Sequence, residues 1–249
     1  MLFLAAAVFV GSSIAYALQP IADGGLGAAG GTTGLSDPVS VYVQQSLTQD
    51  QSLLSLFLQP RHAALWMLLV AVWLSVLSHA IFALQRIGRD EAEQFNEEMP
   101  LIGALLIGAV WPWMIESQPV SAVLGSLAML AGLITVALRS AARGRRIHNS
   151  PMIGVFSAWV TMVAFSALGM LLVDGGASVV TAASLVLLFA CAAGGVLQLQ
   201  IQGNGAYTIT LIFAFLGVAA AMLETSPMIS IAAVMAIAAM TFVLVDVTT

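Results

Sequence analysis

Long apolar runs separated by short polar breaks make up most of the chain, and the runs have the length that a lipid bilayer demands. The first is Met1–Leu18. Others cover His62 to Gln85, Pro100 to Ile115, Val120 to Leu138, Pro151 to Val173, Ala177 to Leu197 and Ala206 to Leu223, and the last follows Pro227 and ends near Val247. Each holds roughly 17–25 residues, enough as a helix to cross a hydrocarbon core about 30 Å thick. The pattern predicts an all-α fold: a polytopic integral membrane helical bundle with about eight transmembrane helices.

The breaks are turns, with one exception. Glu116-Ser-Gln-Pro119, Asp174-Gly175-Gly176 and Glu224-Thr-Ser-Pro227 allow immediate reversals, and Gln198, Gln200, Gln202 and Asn204 read as an uncharged polar turn. The exception is residues 19–60. Its glycines at 24, 25, 27, 30, 31 and 34 cost too much backbone entropy for a helix, so this part reads as an irregular loop. Asp37-Pro38 then supplies a helix cap and a first-turn proline, and Val39 to Leu58 reads as an amphipathic segment. Such a segment lies along a membrane surface or folds over the mouth of a bundle. Ala15-Tyr16-Ala17 resembles a signal-peptidase site, but no Lys or Arg precedes the first run, which is expected to stay as a signal anchor. The domain reading is therefore 1–18 as an N-terminal membrane helix, 19–60 as a periplasmic loop, 61–173 as a four-helix core and 174–249 as a three-helix extension.

Composition fixes the solvent. The 249 residues are 60% hydrophobic and only 8% charged, with a mean hydropathy of +1.02. Soluble domains carry about 25% charged residues, so lipid must surround most of this chain. The net charge of −5 is spread over loops and leaves no basic stripe for nucleic acid. Every basic residue is an arginine, and four of the seven lie at Arg139, Arg143, Arg145 and Arg146. If Met1 is cytoplasmic, Arg86, Arg89 and this cluster face inward, and only Arg61 faces out. That bias predicts cytoplasmic termini.

No residue spacing matches a catalytic device, and no charged residue sits clearly inside a span, which lowers the expectation of ion-coupled transport. Three groups of residues are candidates for binding. Trp66 and Trp73 are seven apart and share a helix face, either as the aromatic wall of a pocket or as an interfacial anchor and a packing residue. His79, beside Ser78 and Ala80, has the chemistry to ligate the metal of a tetrapyrrole, or to hydrogen-bond a facing helix. Arg143, Arg145 and Arg146 suit anionic lipid heads or the propionates of such a ring, or serve only to set topology. Trp159 lies too far along its run for a headgroup anchor, so it faces a core, a cavity or a partner. Trp111-Pro112-Trp113 reads as an interfacial aromatic pair. Cys191 has no partner for a disulfide.

Pro60-Arg-His-Ala-Ala-Leu-Trp66, the helix ending Ala80-Ile-Phe-Ala-Leu-Gln85, Pro151-Met-Ile-Gly-Val-Phe-Ser-Ala-Trp159 and Gly205-Ala-Tyr207 together resemble the tryptophan-rich sensory protein, or translocator protein (TspO/MBR), family in its longer bacterial form. The resemblance spans roughly residues 58–247. Ala63 and Ala64 stand where the family carries aromatics, and Phe213 or Phe215 where it carries a further tryptophan. Only Trp66 and Trp159 are carried over as ligand-lining residues, with Pro60 and Pro151 as structural markers. The resemblance implies a bacterial inner-membrane protein without enzymatic activity. It would bind a porphyrin or (bacterio)chlorophyll-like ring, or another apolar ligand, in a sensory role. Two other readings of the residues stay open: a structural or assembly subunit of a photosynthetic or respiratory membrane complex, or a small-solute transporter. Membrane-protein partners or a homo-oligomer fit the first of these.

Overall fold

A computed structural model describes residues 1–19, 52–85, 91–115, 117–142, 150–200 and 205–248. Among them every regular element is a helix: α1 (Leu2–Ala17), α2 (Leu53–Leu58), α3 (Ala63–Gln85), α4 (Glu91–Met114), α5 (Pro119–Ala142), α6 (Pro151–Asp174), α7 (Val179–Gln200), α8 (Gly205–Met222) and α9 (Pro227–Thr248). Six helices, α3 and α5 to α9, are long and apolar enough to cross a membrane, whereas the apolar stretches Leu2–Ala17 and Glu98–Met114 are shorter. These two pack against one another. The Gly-rich part of the 19–60 loop, Arg143, Arg145 and Arg146 lie outside the described residues.

α6 is the axis of the bundle. It touches α2, α3, α5, α7 and α8, and between Met152 and Met170 none of its side chains is exposed. Its composition explains this position. Gly154, Ser157, Ala158, Thr161, Ala164, Ala167 and Gly169 let neighbouring backbones approach, while Phe156 and Trp159 fill the space between them. At Gly169 an added Cβ would lie 2.5 Å from Val186 Cγ2, so α7 rests directly on the α6 backbone. On one side α1, α3, α4 and α5 gather, and on the other α7, α8 and α9. α8 also crosses to α3, where a Cβ at Gly217 would lie 2.6 Å from Leu65 Cδ2. The last three helices thus share the core with the preceding ones. α3 and α9 form the outside, and Met67, Leu74 and Phe82 of α3 and Met235 and Phe242 of α9 are exposed apolar side chains of the kind that face lipid.

Two local expectations change, and one open alternative is decided. α4 begins at Glu91 rather than Pro100, so part of the charged connector is helical and Pro100 lies inside the helix. Glutamates favour a helix N-terminus, and Pro100, more than two turns in, removes one N–H from the ladder and crowds the carbonyl four residues back without ending the helix. Trp111 is not an interfacial ring; it is buried beside Gly125 of α5, and only Trp113 is exposed. The end of the predicted amphipathic segment, α2, buries Leu53, Leu54, Leu56, Phe57 and Leu58. It packs on α1, α3 and α6, covering the bundle rather than lying on a surface.

Candidate functional site

α1 is held in the bundle by two indoles. Trp73 Nε1 of α3 donates to Ser13 Oγ at 3.0 Å, and Trp113 Nε1 of α4 donates to Ser12 Oγ at 2.8 Å. Ser12 Oγ in turn donates to the Ala109 carbonyl. Tyr16 packs edge-on to Trp113, with centroids 5.5 Å apart, and its carbonyl accepts from Gln59 Nε2 at 3.3 Å. Inside a bilayer no water replaces such bonds, so this polar cluster fixes the depth and rotation of α1. Ser13→Ala leaves Trp73 without its acceptor. We expect it to lower stability by about 0.5–2 kcal/mol, read as the unfolding midpoint in detergent micelles.

Trp66 and Trp73 are together on α3, edge to face with centroids 6.3 Å apart, and both are half-buried. Trp159 belongs to a second aromatic group. It stacks on Phe156 (6.2 Å, 15°), and both rings meet Phe9 of α1 edge-on, at 6.2 Å from Trp159 and 5.2 Å from Phe156. The two groups lie against one face of α1, because Phe9 and Ser13 are one turn apart. Trp159 is fully buried, and its Nε1 has no hydrogen-bond partner among the described residues. His79 stands apart from both groups, about 120° around α3 from Trp73 by helical geometry. Its Nδ1 is 3.4 Å from Ser150 Oγ, the residue before α6, so Ser150 makes no cap to the amides of its own helix. The structure brings Trp66 to Trp73, places Trp159 one α1 turn away, and separates His79 from all three.

A polar seam runs between α6, α7 and α8. Thr161 Oγ1 donates to the Ser157 carbonyl at 2.8 Å and lies 3.2 Å from Tyr207 Oη. With the threonine proton already used, the phenol is the donor in that pair. Thr208 Oγ1 donates to Gln198 Oε1 at 2.7 Å, and Gln198 Nε2 has no partner among the described residues. All four side chains are buried. The sequence reading ended this helix before Gln198, but α7 continues to Gln200 and carries Gln198 into the interior. Ser12, Ser13, Phe9, Phe156, Thr161, Tyr207 and Gln198 went unnoticed as a group. The available signal was Ser, Thr and Gln within or beside apolar spans, where each polar group must find a partner.

The chain matches no protein-family model, no curated protein and no solved structure.

Proposed function

We propose that this is a non-enzymatic, eight-pass membrane protein of the tryptophan-rich sensory type, with both termini cytoplasmic. It binds an apolar, oxygen-bearing ligand such as a tetrapyrrole. The Trp159 indole N–H carries this reading: it is buried among Phe9 and Phe156 with no acceptor among the described residues. A buried donor is costly unless an oxygen reaches it, and a tetrapyrrole offers both a flat apolar face and carboxylates. Half-buried Trp66 and Trp73 supply the accessible aromatic face, and α1, against which both that pair and Trp159 rest, yields as the ligand enters. Burial of the ring at about 25 cal/mol per Å² supplies most of the affinity. His79 is not needed as a metal ligand, so a metal-free ring is the appropriate probe.

The test is a titration with protoporphyrin IX, followed by tryptophan quenching. Trp159→Phe keeps an aromatic ring in the stack but removes the N–H together with part of the ring's volume, and it weakens binding at least about tenfold, the worth of one hydrogen bond. A Trp66→Ala/Trp159→Ala pair weakens it further. Unchanged affinity in that pair, with helicity retained, rejects the site.

A further inference from the structure

α1 is tied unequally to the helices beside it. Toward α4, Ser12 accepts from Trp113 Nε1 and donates to the Ala109 carbonyl, and Tyr16 meets the Trp113 ring edge-on. Phe9 also rests on the α4 backbone, since a Cβ at Gly108 would lie 2.9 Å from Phe9 Cε2. Toward α3, the tie of Ser13 is one bond, from Trp73 Nε1 at 3.0 Å. A longer bond of 3.3 Å, from Gln59 Nε2 to the Tyr16 carbonyl, joins α1 to the segment between α2 and α3. α1 also packs more extensively on α4 than on α3. Its far side is open. Leu4, Ala7, Val8, Gly11 and Ala15 are exposed, and a Cβ at Gly11 would meet nothing within 4 Å, so no described residue blocks an outward swing there.

We propose that α1 is a lateral gate that turns on its α4 contact and opens away from α3 and α6, with the Trp73–Ser13 bond as its latch. The ligand it admits from the membrane rests on the reading above; the movement rests on the unequal ties alone. Opening breaks the Trp73–Ser13 bond and keeps the Ser12 pair, and it lifts Phe9 from the Phe156 and Trp159 rings. It also frees Trp73 Nε1, so the N–H that holds the gate shut becomes a donor for a ligand oxygen, in addition to the Trp159 N–H. A ligand that binds only the open form has its apparent affinity reduced by the fraction of open form, so the latch sets how readily the site fills. Ser13→Ala weakens the closed form and not the open one, because the open helix has already lost that bond. Loss of the latch thus speeds entry, the opposite of losing a binding contact.

The experiment uses the full-length protein in lipid nanodiscs, in a Cys191→Ser background. Nitroxides at exposed positions, Val8→Cys with Leu74→Cys of α3 and Val8→Cys with Leu106→Cys of α4, report the α1–α3 and α1–α4 distances by pulsed electron resonance. Ser13→Ala enlarges the longer-distance α1–α3 component about three- to tenfold, the worth of one hydrogen bond within a membrane, and leaves the α1–α4 distance unchanged. Trp73→Phe removes the donor instead of the acceptor and serves if that variant fails to fold. Identical α1–α3 distances in wild type and variant overturn the gate, and so does an α1–α4 distance that changes with them. Stopped-flow mixing with protoporphyrin IX supplies the second arm. Ser13→Ala associates faster by the same factor with dissociation unchanged, whereas a merely loosened pocket releases the ring faster. Equal association rates with a moving α1 overturn its part in entry. A moving α1 in a protein that binds no porphyrin rejects the ligand and keeps the gate, and saturable porphyrin binding with a fixed α1 does the reverse.

Discussion

Trp159→Ala is expected to destabilise the bundle by about 3–5 kcal/mol, the range for removing a large aromatic from a core that cannot close over the gap. The ring is almost inaccessible and sits between Phe156 of its own helix and Phe9 of α1, while α6 also packs on α2, α3, α5, α7 and α8. No neighbour is free to move in without disturbing another contact. Trp66→Ala gives the comparison. Trp66 is half-buried on an outer helix, so its loss leaves a groove that lipid can fill, and the expected cost is about 1 kcal/mol. Reversible unfolding in mixed micelles, with both variants measured alongside the wild type, checks the difference. Equal costs would mean that α6 is not the enclosed helix described here.

Adding volume at Gly169 should do comparable damage by the opposite route. A Cβ there would already lie 2.5 Å from Val186 Cγ2, and Val186 is buried and branched at Cβ, so it cannot swing aside as a longer side chain would. Gly169→Leu therefore forces α6 and α7 apart. We expect a loss of at least about 3 kcal/mol, at the upper end of what overpacking costs. Gly125→Ala on α5 is the control: its Cβ would meet Trp111 Cβ at an ordinary 3.5 Å, and stability should barely change. Thermal unfolding of the two variants by circular dichroism provides the measurement. An unperturbed Gly169→Leu would show that the helices are further apart than these contacts require.

The run lengths and charge pattern made helices and lipid legible, because a chain this poor in charge has no other way to satisfy its surface. They did not show which face of each helix is interior. In water an apolar face means core; in lipid it means either core or exterior. Phe156 and Phe242 are the same residue type in similarly apolar helices, yet one is inaccessible and the other is 75% exposed. For the same reason Trp66, Trp73 and Trp159 could be named as candidates without any means of telling that the pair and the third meet α1 one turn apart. The informative residues were the small and polar ones. Gly154, Ser157, Thr161 and Gly169 mark α6 as enclosed, and Ser12 and Ser13 mark the side of α1 that docks. Gln198 was hidden by its position, since a glutamine followed by Gln200, Gln202 and Asn204 looks like the start of a turn. Pro100 misled in the same way: proline after a charged connector suggests a helix start, but glutamates upstream extend the helix past it.

The central claim is that the aromatic groups along one face of α1 receive a flat, oxygen-bearing ligand, and the most direct measurement is an equilibrium titration of the purified wild-type protein with protoporphyrin IX in mild detergent. Saturable tryptophan quenching with a single class of site, accompanied by a shifted Soret band, is the predicted result. Quenching that rises linearly with added porphyrin, as it would for partitioning into the micelle alone, contradicts it.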